Sequence, residues 1–169
     1  MKYHLIATLS VGALLSGIAQ AHDDSAEALN QIHHINQKEI QVSNMALQKT
    51  HSADVKAFAQ HMIDQHTSAD AKVQSLATSE GVKLQSFQMA DFEKVGADDL
   101  NALTGARFDL AFVGMMKGGH KEALFELDEL KDHTKDKQLK DLVSRILPDV
   151  KEHEKMANDL KKKLKADES

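Results

Sequence analysis

Residues 108–130 read FDLAFVGMMKGGHKEALFELDEL, a pattern that predicts one long α-helix. Its apolar residues recur every three or four positions, the spacing that places them on one side of an α-helix. They are Phe108, Phe112, Met116, Ala123, Leu127 and Leu130. Asp109 and His120 lie inside or beside that apolar side, eleven residues or about three helical turns apart. A carboxylate and an imidazole that point into a core need polar partners there, and we expect the other helices to supply them.

The composition indicates an all-α domain. The chain of 169 residues has one proline, eight glycines and no cysteine, and only 4% of it is aromatic. Few helix breakers, together with abundant Ala, Leu, Lys, Glu and Gln, favour helices. The net charge of −5 argues against general nucleic-acid binding. Without cysteine, disulfides and thiolate metal ligands are excluded.

Residues 1–21, MKYHLIATLSVGALLSGIAQA, have the pattern of a secretory signal peptide. A lysine precedes an apolar run, and an Ala-Gln-Ala site ends at Ala21. A membrane anchor fits less well, because the apolar run is short for a spanning helix. We therefore expect cleavage after Ala21, a mature domain of residues 22–169 in the periplasm or secreted, and no transmembrane segment in that domain.

Four long helices are predicted in the mature domain. They cover about residues 25–49, 52–79, 98–133 and 137–163. The links at 50–51 and 134–136 are short, so each pair of helices is predicted to be an antiparallel hairpin. The central connection, 81–97, is too long for a turn. This arrangement predicts a ferritin-like four-helix bundle, in which a long crossover joins the two hairpins.

Polar residues interrupt the apolar side of every predicted helix. Glu39, His66 and His153 occupy core positions in the first, second and fourth helices, beside Asp109 and His120 in the third. Counting from one end of the bundle places Glu39, His66, Asp109 and His153 about 10 to 15 residues deep, with His120 about two turns further on. All four helices are therefore expected to send a metal ligand to a similar level of the core.

These five residues form a candidate metal site. His66, His120 and His153, with Glu39 or Asp109, would make a nitrogen-rich site suited to a single Zn, Cu, Ni or Fe ion. No serine or cysteine nucleophile stands out in the sequence, and there is no glycine-rich phosphate loop. We therefore expect a binding protein rather than an enzyme.

A di-iron centre is not expected. Ferritin-like di-iron proteins carry Glu-x-x-His on two helices. In this chain the residues three positions before His66, His120 and His153 are isoleucine, lysine and valine. The bridging glutamates that such a centre needs are therefore missing.

The chain resembles an exported bacterial family, the domain of unknown function 4142, which is placed among ferritin-like proteins. The resemblance covers about residues 27–160. It rests on Glu39, on VKAFAQHMIDQHTSAD with His66, on GARFDLAFVGMMKGGH with Asp109 and His120, and on LPDVKEH with His153. The family has no established activity, so the resemblance implies the fold and export but not a function.

Two functions remain open on the sequence. The first is a periplasmic metal-binding protein of ferritin-like fold, whose partner is a metal ion. The second is a non-catalytic helical module that binds an envelope protein. In the second case the polar core is purely structural, since a buried imidazole bonded to a carboxylate can set the register of a bundle.

Overall fold

A computed structural model describes residues 12–87 and 98–167 of the chain. All regular secondary structure within these two ranges is helical. The helices are α1 (Gly12–Lys49), α2 (Ala53–Ser79), α3 (Asp98–Ala102), α4 (Gly105–His133) and α5 (Lys137–Asp167). The predicted all-α class with four long helices is confirmed. Residues 1–11 of the predicted signal peptide lie outside the described residues, and its remainder forms the start of α1.

The ends of α2 carry the expected capping residues. The Ser52 hydroxyl accepts a hydrogen bond from the backbone N–H of Val55 at 3.3 Å, which satisfies one donor of the first turn. At the other end, Gly81 has a φ of 70°, a left-handed conformation that favours glycine. The N–H groups of Gly81 and Val82 then bond back to Thr78 at 3.2 Å and to Ala77 at 2.8 Å. This Schellman motif ends the helix.

The third predicted helix begins later than expected. The prediction ran from about residue 98 to 133, whereas the structure has the short helix α3, a break, and then α4 from Gly105. Gly105 has a φ of 59°, so the chain changes direction there. The Lys49 ammonium donates to the carbonyl oxygens of Leu100 at 3.3 Å and Asn101 at 2.5 Å, which holds α3 against the end of α1.

The long helices pack as two hairpins, α1 with α2 and α4 with α5, as predicted. The hairpins meet mainly through α2 and α5, and α1 makes little contact with α4. An ion pair of 2.6 Å between Lys163 and Asp54 places the C-terminal end of α5 beside the start of α2. The contact of Lys49 with α3 places the start of α4 at that same end. The starts of α2 and α4 therefore lie at the same end, and the end of α2 and the start of α4 lie at opposite ends of the bundle.

The described part of the connection that follows α2 lies against α1. The backbone N–H of Gln85 donates to the side-chain oxygen of Asn30 at 2.7 Å. The imidazole of His34 contacts the Gln85 carbonyl oxygen at 3.1 Å and the edge of the Phe87 ring. These contacts hold residues 85–87 against the first half of α1.

The core consists of two apolar clusters with a polar layer between them. One cluster includes Leu29, Ile32, Val73, Leu76, Leu127, Leu139, Leu142 and Ile146. The other includes Val42, Val55, Phe58, Met62, Phe108, Phe112, Val113 and Met116, with Phe108 stacked on Phe112. Between them along the helices lies the polar layer, which we define as Asn36, Glu39, His66, His120 and His153. Each buried Leu or Phe stabilises the bundle by about 1.5–3 kcal/mol, which allows the fold to accommodate this layer.

Candidate metal centre

Three helices each place one histidine in the polar layer. His66 comes from α2, His120 from α4 and His153 from α5, and their exposed fractions are 5%, 3% and 3%. The ring centroids are 5.2–5.5 Å apart. One nitrogen of each ring lies within 4.8 Å of one nitrogen of each of the others. The three nitrogens thus surround a common point and could hold a metal ion.

The shortest of these distances matches a metal site. The Nε2 atoms of His66 and His120 lie 3.3 Å apart. Two ligands at the usual Zn–N distance of about 2.0–2.1 Å, at a tetrahedral angle, are also about 3.3 Å apart. This pair therefore needs little rearrangement to share one ion.

Hydrogen bonds orient both of these rings. The Nδ1 atom of His66 contacts the side-chain oxygen of Asn36 at 2.8 Å, and Nδ1 of His120 contacts the Met116 carbonyl oxygen at 2.8 Å. Because carbonyl oxygens only accept, these contacts favour the tautomer with the proton on Nδ1 of each ring. In that tautomer the two Nε2 atoms present lone pairs to each other across 3.3 Å. Two facing acceptors repel, and a cation between them would remove that repulsion.

His66 and His153 are neutral at ordinary pH. Burial lowers the pKa of His66 to about 2, with further lowering by His120 and His153. Burial likewise lowers the pKa of His153 to about 3, with further lowering by His120 and His61. Neutral imidazole is the form that binds metal, so the site does not have to lose these protons before binding.

Glu39 and Asn36 of α1 complete the polar layer. Glu39 is 6% exposed, and burial raises its pKa, although His120 and Lys38 act in the opposite direction. Within residues 12–87 and 98–167, neither Glu39 Oε2 nor Asn36 Nδ2 has a hydrogen-bond partner. Buried polar atoms are rarely unpartnered, so both atoms are available to a bound species. The Glu39 carboxylate is not part of the group of ligand atoms within 4.8 Å of one another, which consists of His66, His120 and His153 in the described residues, so Glu39 lies beside the predicted site and would have to move to reach an ion there.

Asp109 is buried but does not join this layer. It is 6% exposed and lies three turns of α4, about 16 Å, before His120. The later start of α4 explains the difference from the predicted depths. Counted from Gly105, His120 is fifteen residues into its helix, and His66 is thirteen residues into α2. The structure therefore places His120 beside the other histidines, and Asp109 within the Phe108–Phe112 region.

A fourth histidine, His61, lies next to the layer and was not among the predicted site residues. Its ring is 5.4 Å from that of His153, and its Nε2 atom is buried without a partner in the described part of the chain. On a helical wheel His61 is about 140° from His66. Because α2 packs against both α1 and α5, two of its sides are covered, and a single apolar stripe could not reveal the second.

Asp70 is a second polar residue that the sequence pattern missed. It is 2% exposed, and its Oδ1 lies 2.6 Å from Nδ1 of His33. Its Oδ2 accepts hydrogen bonds from Gln37 at 2.6 Å and Gln74 at 2.8 Å. The only signal in the sequence was its position one turn after His66 on α2. These bonds join α1 to α2, so this group is structural.

A cavity of about 400 Å³ lies between α1 and α4, with the polar layer at its base. It exists because these two helices make little contact. Its walls are mainly apolar, and its lining includes Lys38, Glu122, Glu126 and Asp149. Among residues 12–87 and 98–167, the candidate site therefore adjoins a cavity on the α1/α4 side.

The model of one family, described as domain of unknown function (DUF4142), matches residues 15–160. The chain belongs to this family. The match includes the entire polar layer of this DUF4142 domain. No curated protein and no solved structure is significantly similar to the chain. The family description assigns no activity, so the function has to be argued from the site itself.

Proposed function

We propose that this DUF4142 protein binds one transition-metal ion, Zn, Cu, Ni or Fe, through His66, His120 and His153. The supporting observation is that the Nε2 atoms of His66 and His120 face each other 3.3 Å apart, in a group of ring nitrogens that includes one of His153. The His66 and His120 rings are each held in place by a bond to a carbonyl oxygen. Such bonds from the second ring nitrogen are typical of metal-binding histidines, because they set the tautomer and the ring orientation.

The chemistry of the ligands selects the class of metal. Three imidazoles suit borderline transition metals, whereas Mg and Ca prefer oxygen ligands. Glu39 is the carboxylate that lines the same cavity, and we propose it as a fourth ligand or as a partner of the bound ion. One carboxylate is too few for the bridged pair of a di-iron centre, so the proposed site holds a single ion. The proposal assigns binding and storage of the metal, and no catalytic step.

The proposal includes a ferritin-like fold and a location outside the cytoplasm. The parallel directions of α2 and α4 and the long connection between them support a ferritin-like arrangement of the four helices. The pattern of residues 1–21 supports export to the periplasm or beyond. None of the described helices is long and apolar enough to span a bilayer.

The test is the metal content of the protein purified from its own compartment. Elemental analysis should find close to one Zn, Cu, Ni or Fe ion per chain in the unmodified protein. His66→Ala should retain less than a tenth of that amount. His51→Ala, which removes an exposed histidine at the α1–α2 link, is the matched control and should retain all of it. Circular dichroism establishes that each variant is folded.

Thermal unfolding supplies an independent measurement. A ligand at one hundred times its Kd stabilises the folded state by about 2.7 kcal/mol, so the correct metal should raise the Tm of the metal-free protein. A protein that contains no metal and whose Tm is unchanged by all four ions would contradict the proposal. It would support the alternative function, a helical module that binds an envelope protein and has a structural polar core.

A further inference from the structure

The cavity between α1 and α4 is larger than a metal ion needs. Its volume of about 400 Å³ lies in the range of small-molecule sites. It extends along α4 from His120 to Leu130, a helical length of about 15 Å. Its walls include Ile32, Ile35 and Leu127. An elongated space with such walls is suited to an unbranched hydrocarbon chain.

The inner end of the cavity is polar and contains a hydrogen-bond donor without an acceptor among the described residues. Asn36 lines the cavity and is 4% exposed, and its oxygen is already bonded to His66. Its Nδ2 group has no acceptor within the described ranges. A buried amide donor without an acceptor is costly, so a ligand that fits here should bring an oxygen atom to it.

The charge of the loaded site favours an anion. A divalent ion with three neutral imidazoles carries two positive charges into a buried layer, and Glu39 can cancel at most one. With Glu39 beside the ion rather than bound to it, the three protein nitrogens also leave a coordination position open on a tetrahedral ion. A carboxylate could place one oxygen on the ion and its second oxygen near Asn36 Nδ2.

The charged residues that line the cavity disfavour a second negative charge on the ligand. Glu122 and Glu126 are exposed and line the cavity together with Asp149, opposed by Lys38. Acidic groups there repel a ligand with a second negative charge near its outer end. Monocarboxylates are therefore favoured over dicarboxylates.

We propose that the α1/α4 cavity binds an aliphatic monocarboxylate, with its carboxylate at the metal and its hydrocarbon chain along α4. This inference rests on the proposed function, because the carboxylate binds to the metal-loaded protein. It adds the class of small molecule that the site accepts.

The test uses the full protein loaded with Co²⁺, whose visible absorption reports changes in coordination. Uptake of Co²⁺ is measured first, and then octanoate is titrated against the Co²⁺ bands. Octanoate should change the spectrum with a Kd at least tenfold lower than that of acetate, octan-1-ol or octanedioate. Acetate lacks the hydrocarbon chain, octan-1-ol lacks the carboxylate, and octanedioate carries a second negative charge.

Two variants locate the binding site. Ala123→Phe places a large side chain in the cavity wall, and should weaken octanoate binding at least tenfold while Co²⁺ uptake is unchanged. Ala111→Phe makes the same change at a partly buried position of α4 that packs on the other apolar cluster, and should leave octanoate binding unchanged.

Two results would overturn the inference, and they are distinguishable. If Co²⁺ binds but octanoate leaves its spectrum unchanged, or binds no tighter than any comparison compound, the cavity is not a monocarboxylate site and metal binding still stands. Retention of octanoate binding in Ala123→Phe would lead to the same conclusion. If neither Co²⁺ nor any of the four proposed metals binds, the proposed function fails first and this inference fails with it.

Discussion

The Nε2 atoms of His66 and His120 face each other across 3.3 Å at the centre of the bundle, and both rings are held through Nδ1. We therefore predict that, in the metal-free protein at pH 7, the proton of each ring is on Nδ1. Long-range ¹H–¹⁵N correlation spectra measure this directly. Addition of Zn²⁺ should shift the Nε2 signals of both rings, while His51, which is exposed, serves as the unaffected reference. A proton on Nε2 of either ring would instead indicate an ordinary hydrogen bond between the rings and a structural role.

The stability of the metal-free protein should depend on pH in a defined direction. Burial holds the pKa of His66 at about 2 and that of His153 at about 3, whereas each is near 6.5 in the unfolded chain. Between pH 3 and 6.5 the unfolded chain therefore binds more protons than the native protein. The free energy of unfolding should fall as the pH falls through this range, by up to about 1.4 kcal/mol per pH unit for each histidine.

Urea unfolding in the presence of a chelator, at intervals from pH 7 to pH 4.5, measures this dependence. His153→Leu removes one of the two groups and should reduce the slope. His51→Leu removes an exposed histidine and should leave the slope unchanged. A free energy of unfolding that stays constant from pH 7 to pH 5 would show that the two rings are not buried as the structure has them.

Glu39→Gln should have opposite effects on stability and on metal binding. Burial raises the pKa of Glu39, so between 4.5 and the raised pKa the native protein binds more protons than the unfolded chain. The contribution of Glu39 to stability therefore declines as pH rises through that range. Glutamine keeps the shape of the side chain but has no charge to bury. The substitution should therefore raise the free energy of unfolding of the metal-free protein at pH 8 by about 1 kcal/mol or more.

The same substitution should weaken metal binding by about 10- to 100-fold, because the charge of Glu39 is then absent. Competition with a chelating dye measures the affinity, and urea unfolding measures the stability. Glu27→Gln, an exposed change on the same helix, is the control and should alter neither. If Glu39→Gln leaves metal affinity intact, Glu39 plays no part in the site.

Asp70→Ala should destabilise the bundle without affecting the metal. The carboxylate contacts His33 at 2.6 Å and accepts hydrogen bonds from Gln37 and Gln74, so its removal takes a partner from two partly buried groups, His33 and Gln37, and from the exposed Gln74. We expect a loss of about 3 kcal/mol in the free energy of unfolding. Asp64→Ala, at an exposed position of α2, should cost less than about 0.5 kcal/mol. An equal effect of the two substitutions would contradict the role given to Asp70.

Apolar spacing was sufficient to predict the long helices and their pairing. The stripe from Phe108 to Leu130 is one side of α4, and the short links at 50–51 and 134–136 fold each pair back on itself. The same spacing identified His66, His120 and His153, because each replaces an apolar residue in a stripe. The structure brings these three together. Their grouping depends on helix faces, which a 3.6-residue repeat determines well.

The depth of each residue in the bundle was harder to predict than its face. Depth depends on where a helix begins, and the left-handed turn at Gly105 moved the start of α4 by seven residues. That shift is why Asp109 was placed beside the histidines. Asp70 and His61 were missed for another reason. A stripe shows the side of α2 that faces one neighbour, whereas α2 is covered on two sides.

The polar layer has one more consequence, which concerns how the two hairpins stay together. His66 belongs to the first hairpin, and His120 and His153 belong to the second, in a chain that has no cysteine. An ion held by these three residues would join the halves by coordination bonds, a reversible cross-link in place of a disulfide. The cross-link would add to the two apolar clusters that already join the hairpins, so metal supply would tune how firmly α2 and α5 are held together.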